Sequence, residues 1–338
     1  MKPIGPRRKA PPVARPEGFE APYDAFEPRF KDHDEIVLVI FGIETRSGDS
    51  SKLKSRLLDE LQRVEGPAIL EHGAIVDGFG PSSEIWFAYW KVQEQYELWL
   101  RESEIESLFA DATLLDSDIG LWREYCLISL DYNETSYSRS DNISGLGNFS
   151  DAMEVTPHHA YWGSARDRIV AAAEDDLAGA ALENRAADGF GRRVQLVAPA
   201  NACLIKTTQD LSQATPEQFA IYRQEVEPAL HAGLRDIRDK PIETGSFGMR
   251  FIEEVGGDST NQPRTIGLGY FASLADLEQW THHSPTHGAI MAKFGAMVEQ
   301  FQGQPGVHLW HEVTVFPKGS LCGDYVNCSG DGTLMALV

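Results

Sequence analysis

The sequence is poor in the residues that build metal clusters and covalent staples. It has four cysteines in 338 residues, Cys126, Cys203, Cys322 and Cys328, and even the closest pair is not a C-x-x-C. That argues against a zinc ribbon or a thioredoxin-type redox site. The cysteines are expected to be mostly buried thiols in a reducing, cytoplasmic compartment, a Cys322–Cys328 bridge being the less favoured alternative. No H-E-x-x-H is present, which removes the commonest helical zinc site. No apolar run approaches the roughly 20 residues of a membrane span. The basic N-terminus lacks the apolar stretch of a secretory signal. Positive charge is also scarce, with 30 Lys and Arg against 51 Asp and Glu, net −21. Such a body repels phosphate backbones and anionic lipid, so neither nucleic acid nor membrane is expected as a partner. Small molecules and other protein surfaces remain.

What the chain does contain is ordinary globular material, 42% hydrophobic and 24% charged. Proline is concentrated in residues 1–30, at Pro3, Pro6, Pro11, Pro12, Pro16, Pro22 and Pro28. At that density helix and ladder bonding are forbidden, so an extended arm is expected, free or laid across the body. From residue 35 regular patterns take over. "EIVLVIFGI" reads as a buried strand, "SSKLKSRLLDELQRV" as a serine-capped helix and "SEIWFAYW" as a strand. "KVQEQYELWLRESEIESLF" reads as one helix and "WREYCLISL" as a strand, with a polar loop after it. The same order returns: the strand "ACLIKTT", a helix capped by Thr215 with Pro216 in its first turn, the strands "GSFGMRFIEEV" and "TIGLGYFASL", further helix, and the strand "HLWHEVTVF".

The recurrence holds residue by residue. Tyr89-Trp90 answers Tyr270-Phe271, Glu97 answers Glu278 and Trp99 answers Trp280 at one constant offset, and "LWRE" answers "LWHE" downstream. Duplication is the better reading. The expected fold is α+β, two ferredoxin-like halves with antiparallel sheets, of the dimeric α+β-barrel type within one chain. The expected division is a Pro-rich arm 1–30, a first half 31–150 and a second half 151–338. The two sheets would pack face to face or close into a barrel, leaving a cavity between sheet and helices.

The first copy serves as an internal control, because residues found in one copy alone are not needed by the shared fold. Where the second copy has His287 the first has Glu106, and where it has His311 the first has Arg123. A functional site, and any cofactor pocket, is therefore expected in the second half. In "HHSPTHGAIMAKF", Pro285 suits a first helical turn with Ser284 as its cap, and the helix runs to about Phe301. His287 then shares a face with Ile290, Phe294, Met297 and Phe301, while His282 and His283 precede the cap and face solvent. A histidine in an apolar wall without acidic neighbours suits axial ligation of a haem; a hydrogen-bonded core histidine is the competing reading. On "HLWHEVTVF" side chains alternate, so only one of His308 and His311 can look into a pocket. His311 shares the apolar face of Leu309, Val313 and Val315 and is the better candidate.

"HAYWGSARDR", "SPTHGAI", "LWHEVTVF" and "YVNCSGDGT", in the family's order of motifs and with a likeness over nearly the whole chain, resemble the haem-dependent aldoxime dehydratases. The resemblance implies haem b, ferrous in the active form, an aldoxime substrate, a nitrile product and a homodimer. It implies that His287 of "PTH" is the proximal iron ligand and His311 the distal histidine acting as general acid and base. Arg168 of "SARDR", with Arg166 as the alternate, would line the distal pocket. Glu134 of "DYNETSYS" would support His311. Thr207 of "CLIKTTQD" stands where the family carries serine, which adds a methyl group to the hydroxyl. The chain between His287 and His311 is also longer than the family's, which puts His308 at the customary spacing; strand face and the "LWRE" repeat nevertheless favour His311. Alternatives from other classes are a peroxidase-like or chlorite-dismutase-like haem enzyme and a non-enzymatic haem carrier or sensor. Taken without the family, Arg168 reads as a surface ion pair, Glu134 as a solvated loop carboxylate and Thr207 as an ordinary strand residue.

Overall fold

The computed structural model describes residues 14–31, 33–78, 80–182, 188–256, 261–330 and 332–337. Pro3, Pro6, Pro11 and Pro12 of the expected arm lie outside them. The chain enters through β1 (Phe26–Arg29) and β2 (Glu35–Thr45), and α1 (Ser51–Leu61) leads to the hairpin β3 (Ile69–Ile75) and β4 (Ser82–Trp90). Next come α2 (Gln93–Glu102), α3 (Ile105–Ala110), β5 (Ile119–Ser129), β6 (Asn133–Tyr137), β7 (Ala152–Val155) and the short α4 (Ser164–Arg168). β8 (Arg193–Val197) and β9 (Ala202–Asp210) are followed by α5 (Pro216–Ile221), α6 (Glu227–Asp239) and α7 (Pro241–Thr244). The chain ends with β10 (Ser246–Val255), β11 (Asn261–Phe271), α8 (Leu274–His283), α9 (Pro285–Gln300), β12 (His308–Phe316) and β13 (Leu321–Val326).

These strands form one antiparallel sheet in the order β7-β1-β6-β12-β9-β11-β10-β3-β4-β2-β5-β13-β8. Its midpoint is the short ladder of Ile252, Glu253 and Glu254 with Ile75, Ala74 and Gly73. Outward from that ladder the two sides run alike, hairpin first, then the strand that precedes each hairpin, then β12 or β5. β6 leaves the N-terminal side to pair with β12, and β13 returns from the C-terminal side to pair with β5.

The apolar runs explain how the sheet is covered. β2 is apolar on both faces, as a strand covered on both sides must be. Its Ile36, Leu38 and Ile40 join Tyr89, Leu204, Ile266, Leu268 and Tyr270 in one core, so the two sides of the sheet face each other. Val37, Val39 and Phe41 point the other way, against Leu57 of α1 and Trp99 of α2. A third core packs Met249, Phe251, Phe271 and Val313 against Leu234 of α6 and Trp280 of α8.

Several expectations need correction. The arm does enter a ladder: Phe26–Arg29 pairs with β7, Pro28 lying opposite Met153. An extended proline is tolerated there, and pairing to β6 is confined to Phe26 opposite Tyr137. The helix expected over 91–109 breaks at Ser103, whose ψ is 161°. The helix over 215–237 passes through a π-turn at Tyr222–Val226, just ahead of Pro228, which has no N–H to offer the helical ladder. The polar loop around Glu134 is strand β6, buried at all five positions. Its polar side chains are satisfied in place: the Asn133 amide donates to the Val313 carbonyl at 3.2 Å and to Thr314 Oγ1 at 2.9 Å. All four cysteines are free, three of them buried, so Cys322 and Cys328 form no bridge. Among the described residues no helix is long and apolar enough to cross a membrane.

Candidate active site

Alternation along β12 decides which histidine is available. His308 is buried on the face opposite His311, with Nδ1 2.9 Å from the Ser138 hydroxyl and Nε2 2.8 Å from the Asn142 carbonyl. Both ring nitrogens are occupied by the protein, and burial pushes its pKa down. His311 lies opposite Thr207 on β9 and Ser136 on β6, with its side chain 35% exposed.

Around His311 the fold assembles a charged cluster. Arg168 Nε donates to Glu134 Oε2 at 2.8 Å, Nη2 lies 3.1 Å from His311 Nε2, and Nη1 donates to the His158 carbonyl. Both Arg168 and Glu134 are almost wholly buried. Burial works to raise the Glu134 pKa, but the charges of Arg168 and His311 and their hydrogen bonds outweigh it, holding the carboxyl at about 2. His311 Nε2 is also 3.0 Å from Glu134 Oε1, although that oxygen lacks a hydrogen bond of sound geometry. The two contacts exclude each other, because one ring nitrogen cannot accept from a guanidinium and donate to a carboxylate together. Neutral, the imidazole can accept from Arg168; protonated, it can donate to Glu134. The cluster therefore has a partner ready for each protonation state.

Of the two candidate arginines, only Arg168 reaches His311. Arg166 turns away to the Glu278 carboxylate, with Nη2 2.7 Å from Oε2. Thr207 is half-buried beside His311 and accepts from Gln209 Nε2 at 3.4 Å. Its methyl would lie 3.0 Å from a Cβ placed on Gly267, the next residue along the row.

His287 sits in the first turn of α9. Ser284 caps that helix, accepting from the Thr286 N–H at 3.2 Å, and both hydroxyls reach Asp236 on α6, at 3.3 and 3.1 Å. The imidazole is packed edge-on against Trp280 at 4.9 Å and Trp162 at 5.6 Å. Its Nδ1 is buried without a hydrogen-bond partner. Burial lowers its pKa, the Thr281 backbone pulling the other way, which favours the neutral ring that metals bind. The apolar stripe behind it docks on α6 and the π-turn: Ile290 lies over Gly233, and Met297 is buried with Tyr222 and Val226. His282 and His283 are exposed and stacked on each other. Trp162 was missed from sequence, although it stands inside "HAYWGSARDR"; its contact to His287 depends on how residues 156–169 cross the surface.

The other side of the sheet offers a direct comparison. Across the ladders one row reads Ser136, His311, Thr207, Gly267, Phe251, and the corresponding row reads Asp324, Arg123, Phe41, Trp86, His72. In that second row Arg123 Nη1 donates to Glu106 at 2.6 Å and Nη2 to Asp324 at 3.0 Å. Thus an ion pair occupies the positions of His287 and His311, and two large aromatics stand where Thr207 and Gly267 leave room.

Comparison with known proteins agrees over most of the chain. The family profile for haem-containing dehydratases matches residues 39–333. A phenylacetaldoxime dehydratase from Bacillus sp. (strain OxB-1) is 30% identical over 299 residues, 87% of this chain and 85% of the relative. An aliphatic aldoxime dehydratase from Pseudomonas sp. is 27% identical, covering 93% of this chain and 90% of its own. The crystal structure of an aldoxime dehydratase in complex with butyraldoxime superposes with a TM-score of 0.87 at 25% identity, covering 98% of this chain and 93% of that one.

Proposed function

Because the chain belongs to the haem-containing dehydratase family, we propose that it is an enzyme that converts aldoximes to nitriles and water, with haem b held by His287 in the second half. The observation that carries the assignment to this site is the buried Glu134–Arg168 pair against the half-exposed His311, whose row has a counterpart across the sheet closed by Phe41 and Trp86. A haem fits the residues present: His287 keeps a buried ring nitrogen unbonded, and Gly267 and Thr207 replace large aromatics. When bound, ferrous haem supplies an iron to take the oxime nitrogen and lend electron density to the N–O bond. The chain's own residues do the proton work. His311 donates its proton to the departing hydroxyl, which leaves as water. The neutral ring then takes the carbon-bound proton, so the imidazolium is restored and no net redox change occurs. Arg168 and the Thr207 hydroxyl orient the leaving oxygen, and Glu134 holds the protonated ring in place. The same reading takes the sheet as two ferredoxin-like copies, supported by their like strand order, with 31–150 and 151–338 as their extents and 1–30 as an arm.

The decisive test pairs two substitutions. His311→Ala should retain haem and lose about 10²- to 10⁴-fold in aldoxime turnover, the usual span of a general acid. His287→Ala should change the visible spectrum of the haem-loaded protein, since the imidazole that would hold the iron is gone. Near-wild-type turnover in the first, or an unchanged spectrum in the second, removes the corresponding role.

A further inference from the structure

α4 carries two arginines two positions apart. Helical residues turn by about 100° each, so these side chains leave the helix on opposite sides. Arg168 goes to Glu134 and His311. Arg166 goes to Glu278 of α8, its Nε 3.0 and 2.9 Å from the two carboxylate oxygens and its Nη2 2.7 Å from Oε2, while Nη1 donates to the Asp176 carbonyl at 2.8 Å. A planar fork on a carboxylate fixes orientation as well as distance. Glu278 stands two residues before Trp280, whose ring meets His287. α4 therefore links the helix pair bearing His287 to the strands bearing His311.

Besides the two arginines, the Tyr161 hydroxyl holds α4 by donating to Asp167 Oδ2 at 2.7 Å. The helix has five residues, and its N-cap is Gly163, which has no side chain to cap it. Ile169, the next residue, lies in the core, and the forked Arg166–Glu278 pair adds a fixed orientation that an apolar contact does not supply. The other copy supplies a control. Glu97, the counterpart of Glu278, accepts from Gln93 of its own helix at 2.8 Å, and Arg123 stands in place of His311.

We propose that Arg166 is a positioning residue for the dehydration, its pair with Glu278 aiming Arg168 at His311 and Glu134. This rests on the function proposed above, in which Arg168 and His311 act on the departing hydroxyl. The test uses haem-loaded protein carrying Arg166→Gln, Arg166→Lys or Glu278→Gln, with Arg168→Gln as reference. The readouts are kcat and KM for butyraldoxime, the pH profile of kcat, haem content and melting temperature. Arg166→Gln and Glu278→Gln should lower kcat about 10- to 100-fold with KM little changed, as expected of a misaimed group. The pH profile of kcat should change as well, since the guanidinium that contacts the His311 imidazole has moved. Arg166→Lys should recover part of kcat. Wild-type kcat and profile in the folded Gln variants overturn the proposal. So does a lower melting temperature and haem content with unchanged kcat per haem, which would make the pair structural alone. If Arg166→Gln does not fold, the near-isosteric Glu278→Gln decides. Full turnover in Arg168→Gln overturns the function assigned to Arg168, and this proposal with it.

Discussion

At the scale of single residues, the site is a problem of burying charge. Glu134 and Arg168 are out of water, and each is tolerable only because the other is there; removing one partner of such a pair typically costs about 3–5 kcal/mol. The sign of the pH dependence follows. The Glu134 carboxyl is held at about 2, below its ordinary value of 4.5, so its pair contributes stability above the ordinary value. That contribution is lost as pH falls from there toward 2. Glu134→Gln should flatten that acid limb in equilibrium unfolding measured across the window; a limb as steep as wild type would show that other carboxylates set it. This burial was not legible in "DYNETSYS", because polar residues read as a loop until the backbone that satisfies them is known. His311 was better placed from sequence, since strand alternation alone assigns a face.

At the scale of elements, the α9 seat matters most. Gly233 of α6 lets that helix approach so closely that a Cβ there would lie 2.7 Å from Ile290 Cδ1 and 3.6 Å from Trp280 Cζ2. Gly233→Val should therefore push α9 outward, at a cost of about 1–3 kcal/mol typical of overpacking, and disturb His287 through Trp280. Thermal unfolding and haem content measure the two effects; a variant equal to wild type in both would show that the seam has slack. The helix itself was legible from Pro285 and its serine cap. Its partner was not, because a glycine in a helical pattern gives no sign of which side chain will cross it. The break at Ser103 and the π-turn before Pro228 were hidden likewise, since apolar spacing continues through both.

At the scale of the whole molecule, the two sides of the sheet share one core and exchange strands. The exchange is reinforced by matching buried pairs. Tyr270 donates to Glu124 of the opposite side, and Tyr89 lies 3.4 Å from Glu312. The backbone N–H of Leu334 donates to Glu124 and that of Leu146 to Glu312. Neither side can open without stranding the other's carboxylate, so one cooperative unfolding transition is expected for the apoprotein. Tyr270→Phe should lower that transition by about 1–3 kcal/mol without splitting it; two resolved calorimetric transitions would show that the halves unfold separately.

The sequence by itself suggested a duplication and determined the α+β order, the helix start at Pro285 and the strand face that prefers His311 to His308. Each of these is local, set by periodicity, capping or comparison of one copy with the other. Tertiary structure alone decided that Arg168 rather than Arg166 meets His311, that Glu134 is buried, and that Phe41 and Trp86 close the row opposite Thr207 and Gly267. Those outcomes depend on distances between segments far apart in the chain, and the free energy of a buried charge depends on what surrounds it in space.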